Sequence, residues 1–123
     1  KTRVFALSRW MNEHWASLGF AKPPIPENTI TKPPSAELAP DQKDSDSLPD
    51  YEVLDEIVDR HVERKQSAAT IMRETGFDAD EVSRICRLID RNEYKRRQMA
   101  TGLKVTGVAF GPGRRVPIAR GWH

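Results

Sequence analysis

Residues 67–89 read SAATIMRETGFDADEVSRICRLI, and their spacing decides the fold class. One helix starts at Ser67 and stops at Gly76, whose freedom to take a left-handed backbone suits a helix end. A second opens at Asp78, with Glu81 three residues later as a capping-box-like pair. Val82, Ile85, Leu88 and Ile89 then recur at the three-to-four spacing of a helix that buries one face, and the pattern extends towards Arg97. Upstream, Tyr51, Leu54, Ile57, Val58 and Val62 mark another helix starting near Asp50. Val4, Phe5, Leu7, Trp10, Met11, Trp15 and Leu18 give a broad apolar face over 1–19, with Gly19 as its C-cap.

Between these helices lies a different kind of chain. Residues 28–51, NTITKPPSAELAPDQKDSDSLPDY, carry four prolines among many carboxylates, and the proline pairs at 23–24 and 33–34 argue against helix from Lys22 to Pro49. Loops longer than about 12–15 residues are uncommon in compact domains and are usually functional or disordered. Composition leaves both readings open here. Acidic, Pro-rich chain suits a disordered linker. Yet Ile30, Leu38, Leu48 and Tyr51 are buriable anchors, as a lid over a ligand needs. Past the helices, Leu103 to Val108 is a short strand-like run, followed by a Gly/Pro/Arg tail. No internal repeat is present. The chain therefore reads as mostly α, with a long Pro-rich acidic loop and an irregular C-terminal tail.

With 123 residues the chain is within the size of one domain and could bury roughly two thirds of its unfolded surface. No apolar run approaches the roughly 18 residues of a membrane helix. Cys86 is the single cysteine, which fits a reducing compartment, and a cytoplasmic location is expected. The net charge of +2 hides a segregation: residues 41–63 hold nine acidic and two basic side chains, and residues 84–123 hold two and ten. A basic C-terminal third points to an anionic partner, whether nucleic acid, nucleotide phosphates or the acidic loop. The sequence opens KTRVFALSRW, without an initiator Met and already in helical periodicity, so it is expected to be a piece of something longer.

Several constellations can be weighed on their residues alone. Residues 67–89 with the basic run Tyr94-Lys95-Arg96-Arg97 resemble a helix–turn–helix, the DNA-binding alternative for this chain. Against it stand Met72, where the helices should cross closely, and the acidic start Asp78, Asp80 and Glu81, which has the wrong sign for phosphates. GPGRR at 111–115 is a turn that either docks on the rest of the chain or forms an anion nest, and docking is the stronger reading. His14, His61 and His123 lack metal-ligand spacing, so no metal site is expected on them. Cys86 shares the apolar stripe of Val82 and Ile89, a core position rather than a nucleophile's.

Three blocks carry a specific resemblance: PPSAEL-x-x-DQKD-x-DSLPDYEVLD over 33–55, RNEYKRRQ over 91–98, and KVTGVAFGPGRRVPIA over 104–119. In this order and at these distances they resemble the C-terminal part of the synthetase domain of glutamine-dependent NAD+ synthetases. The resemblance implies a parent domain of α/β, ATP-pyrophosphatase (Rossmann-like) type, and a ligase that uses ATP and Mg2+. Such enzymes adenylate deamido-NAD and amidate it with ammonia, released from glutamine by an N-terminal glutaminase domain of the same chain. It also implies a homo-oligomer, typically a dimer, with no membrane or nucleic-acid partner.

Residue by residue, the resemblance implies that Lys1 reaches the ATP phosphates and that Ser35 contacts ATP. It implies that Lys95 contacts deamido-NAD, and that Glu37, Gln42, Asp44 and Asp46 belong to a loop, 20–50, that orders over the substrates. Tyr94 stands where shorter members often have His. The family's Ser-Gly-Gly-x-Asp-Ser phosphate loop and its glutaminase Cys, Glu and Lys are not matched in these residues. The 123 residues alone are therefore expected to make no NAD+, and no catalytic residue is nominated among them.

Overall fold

The computed structural model describes residues 1–35, 38–100, 102–108 and 114. Every regular element among them is helical, and the chain divides into two units, 1–55 and 56–123.

In the first unit, α1 spans Thr2–Glu13 and α2 spans Glu27–Thr31; a 3-10 turn follows at Asp44–Asp46, and α3, Tyr51–Val58, begins. The apolar periodicity extends to Leu18, but regular α-helix stops at Glu13. His14 takes φ −108°, and the next residues form a separate turn closed by Phe20 N donating to Trp15 O at 3.0 Å. Gly19, at φ +83°, ends that turn in the left-handed conformation expected of it. Helix α2 lies inside the stretch expected to be irregular. It fits between the proline pairs, starting after Pro26, where a missing N–H costs nothing. Ile30 of α2 is the one buried hydrophobic residue described in this unit, whereas Val4, Leu7 and Trp10 of α1 are exposed.

In the second unit, α3 continues into a π-helical turn, Asp59–Glu63, in which Arg64 N donates to Asp59 O at 3.1 Å. Helix α4, Ala68–Thr75, begins and ends where the sequence says: the Ser67 hydroxyl accepts from Thr70 N, and Gly76 closes it at φ +70°. Helix α5, Ala79–Arg91, is capped by Asp78, whose carboxylate accepts from Glu81 N. The expected run to Arg97 breaks at Asn92 (φ −92°, ψ 7°), and a short α6, Glu93–Arg97, follows. Ile57, Ile71, Val82, Ile85 and Cys86 are buried, with four of them at 0–1% exposure. Cys86 thus lies in the core, as its place on the stripe required. The strand-like run 103–108 forms no strand. Instead Val108 N donates to Glu63 Oε2 at 2.8 Å.

Candidate functional site

Asp55, on the first turns of α3, organises the start of α1. Its Oδ2 accepts from Thr2 N at 2.7 Å and from Thr2 Oγ1 at 2.6 Å. A carboxylate there satisfies N–H groups that no helical carbonyl can reach and complements the positive end of the helix dipole. Burial pushes the Asp55 carboxyl up, and the hydrogen bonds from Thr2 pull it down. The Lys1 ammonium lies 5.7 Å from the Tyr51 ring centroid and 5.9 Å from that of Phe5, cation–π distances that steady a flexible stem.

Tyr51 carries the arrangement into the long loop. Its hydroxyl donates to Asp44, and that bond, with burial and the neighbouring carboxylates adding to it, pushes the phenol up to about 12. Asp44 N in turn donates to Pro34 O at 2.9 Å, and Leu48 N to Asp44 O at 2.9 Å. Contacts therefore run from Lys1 through Tyr51 and Asp44 to the residue next to Ser35. Half-buried Ser35 lines a cavity of about 820 Å³, with Lys32, Pro33 and residues 38–43 as its other walls. Leu38 N donates to Gln42 Oε1 at 2.9 Å on that rim. Asp46 caps the 3-10 turn, accepting from Lys43 N at 2.7 Å. Glu37 lies outside the described residues.

Lys95 belongs to the second unit, on α6, and is exposed. Just before it, Glu93 is 4% exposed and accepts from Arg114 Nη1 at 3.0 Å. Arg114 Nη2 donates to Asp90 Oδ1 at 2.7 Å, and His61 Nε2 meets the same oxygen at 3.2 Å. Burial pushes the Asp90 carboxyl up, but Arg114 and His61 hold it below the usual range. His61 is pushed up to about 9: the Cys86 sulfur and the Asp90 carboxylate beside the ring outweigh desolvation, and Gln66 O accepts at its Nδ1 side at 3.1 Å.

The structure thus ties Lys1 to the Ser35 segment within one unit and sets Lys95 in the other. Tyr51 was expected as an anchor of the loop, whereas Asp55 and the partners Asp90 and Glu93 of Arg114 escaped the sequence reading. All lie in quoted blocks or on α5 and α6, but a carboxylate that caps a helix fifty residues away leaves no local signal.

The sequence model of the NAD synthase family matches residues 1–99. The chain belongs to the NAD synthase family. Among its relatives, the glutamine-dependent NAD(+) synthetase of a Synechocystis species is 50% identical over all 123 residues, and that of Acinetobacter baylyi is 49% identical. The Thermotoga maritima protein of the same name is 44% identical over 118 residues, 96% of this chain and 19% of that protein. The solved structure of glutamine-dependent NAD+ synthetase from Acinetobacter baumannii, in complex with ADP, is similar over the whole chain. It shows 41% identity and a TM-score of 0.59, with 20% of that chain covered. The chain spans about a fifth of the length of these relatives, 21% and 22% for the first two. In this chain Lys1, Ser35 and Lys95 all fall inside the family match, while Arg114 lies beyond it but within the alignment to the Synechocystis relative.

Proposed function

We propose that this chain is the C-terminal part of the synthetase domain of a glutamine-dependent NAD+ synthetase. One observation carries the reading: across its entire length the chain is 49–50% identical to proteins of that name. The parent domain is read as an α/β, ATP-pyrophosphatase-type fold. The exposed apolar residues Val4, Leu7 and Trp10 fit a helix that packs on further parts of such a domain.

The reaction is adenylation followed by amidation. The carboxylate of deamido-NAD attacks the α-phosphorus of ATP and releases pyrophosphate. Ammonia then adds at the activated carboxyl carbon and AMP leaves, giving the amide of NAD+. Little covalent chemistry falls to the protein, whose part is positioning and charge stabilisation. Lys1, steadied by Tyr51 and Phe5, is assigned to the ATP phosphates, for which a compact ammonium is suited. Ser35 is assigned to ATP, and the cavity it lines with Lys32 and Lys43 suits an anionic ligand. Lys95 is assigned to deamido-NAD. Loop 20–50 is read as the lid over the substrates, anchored through Asp44 and Tyr51.

Among the described residues, no group of three or more His, Cys, Asp or Glu side chains is disposed to hold a metal ion. Mg2+ is usually held by one or two carboxylates together with substrate phosphates, so it is assigned to the ATP phosphates, and no step is drawn through it. An N-terminal glutaminase domain in the same parent chain, a homo-oligomer and a cytoplasmic setting complete the proposal. Nucleic-acid binding by α4 and α5 is set aside, because the first turn of α5 presents Asp80 and Glu81 where phosphates would lie.

The test is NAD+ formation by the full-length protein from deamido-NAD, ATP-Mg and either glutamine or ammonia. The 123 residues alone should form none. Absence of turnover by the full-length protein with ammonia would remove the proposal, and turnover by the isolated chain would remove its claim that further parts of the domain are required.

A further inference from the structure

The GPGRR stretch at 111–115 has no assigned part in the reaction, and its Arg114 is 11% exposed in its side chain. One amino group of that guanidinium reaches Asp90 near the end of α5, at 2.7 Å. The other reaches Glu93, the first residue of α6, at 3.0 Å. Arg114 therefore bridges the break at Asn92. Asn92 itself donates from Nδ2 to Leu88 O at 2.8 Å, which closes α5 rather than holding α6.

Helix α6 has five residues, far fewer than the roughly 12–15 that an isolated helix needs even to be marginal in water. Its geometry must come from anchoring. Glu93 supplies that anchor, since it is buried and ion-paired, whereas Tyr94 and Lys95 are exposed. At about 100° per residue, Lys95 lies about 200° around the helix from Glu93, so fixing Glu93 inward fixes Lys95 outward. The planar fork of arginine can hold two carboxylates in one geometry at once, which a lysine ammonium does less well. A second contact ties the same part of the chain down: Val108 N donates to Glu63, and a side chain at position 107 would come within 3.2 Å of that carboxylate.

We propose that Arg114 is a positioning residue that sets the reach of Lys95 towards the dinucleotide substrate by clamping Glu93 and Asp90 across the α5–α6 break. This rests on the assignment of Lys95 to deamido-NAD.

The test is a double-mutant cycle in the full-length protein, with KM for deamido-NAD, KM for ATP and kcat measured for Arg114→Met, Lys95→Ala and both together. Arg114→Met should raise KM for deamido-NAD about tenfold and change KM for ATP less than twofold. On the Lys95→Ala background the same substitution should change KM for deamido-NAD less than twofold, because a residue acting through Lys95 has nothing left to position. Arg114→Lys, which keeps the charge and loses the fork, should fall between wild type and Arg114→Met, and it carries the cycle if Arg114→Met does not fold. An equal effect on both backgrounds, or equal rises in the two KM values, overturns the clamp. If Lys95→Ala itself leaves KM for deamido-NAD unchanged, the assignment of Lys95 fails instead, and the clamp loses its purpose with it.

Discussion

The two units are held by different means. In 56–123, Ile57, Ile71, Val82 and Ile85 are at 0–1% exposure, and Arg114 pairs with half-buried Asp90 and buried Glu93. In 1–55 the described residues bury one hydrophobic side chain, Ile30, and local order comes from hydrogen bonds to loops and helix ends. Asp55 caps α1. Asn12 grips Ile25 through both its amide atoms, at 2.7 and 3.0 Å, and Asp44 joins Tyr51 to Pro34. Apolar burial is non-directional and cooperative, so it makes a rigid support. Polar ties are individually worth only about 1 kcal/mol and can be exchanged for ligand contacts. The unit with few core contacts is also the one that holds the proposed lid, which has to open and close.

The contrast breaks most visibly at Ile71. Ile71→Ala should cost about 2–5 kcal/mol and speed amide exchange throughout α4 and α5. Leu7→Ala, at a side chain 57% exposed, should fall within about 0.5 kcal/mol wherever that side chain stays exposed. A large loss at Leu7 under the same measurement would place α1 in a core that its own unit does not provide.

A smaller effect separates the units by pH. His61 titrates near 9 when folded against an ordinary 6.5, so its contribution is complete below about 6.5 and is lost as pH rises through about 9. Thermal unfolding of the helices of 56–123 should move down by roughly 5 °C or more between those limits. His61→Gln should flatten that slope. An unchanged slope would mean that neither Cys86 nor Asp90 favours the charged ring in the folded state.

The smallest effect belongs to the first unit. Tyr51→Phe removes the hydroxyl that holds Asp44 and should cost about 1 kcal/mol, seen as faster exchange at the Asp44 and Leu48 amides. In the full-length protein KM for ATP should rise while KM for deamido-NAD stays put. Parallel rises would show that the loop serves both substrates.

Much of this was legible in the order of residues. Ser67, Gly76 and Asp78 act within three or four positions of themselves, so the ends of α4 and the start of α5 follow from local chemistry. The misjudged ends have equally local causes, though competing ones. Trp15 and Leu18 continue the apolar spacing of α1, yet the backbone leaves the helix at His14. The proline pairs rule out helix at themselves but leave room between them for α2. Val105 and Val108 favour a strand by propensity, but no neighbouring strand is described to pair with them.

By itself, then, the sequence determined a helical chain, its segregated charge and, through three spaced blocks, its kinship. The tertiary structure decided which charges meet. Asp55 reaches Thr2 across 53 positions, and Arg114 reaches Asp90 across 24. Helical periodicity depends on neighbours within one or two turns and can be read along the chain. An ion pair depends on where two distant segments are brought in space, and only the folded backbone fixes that.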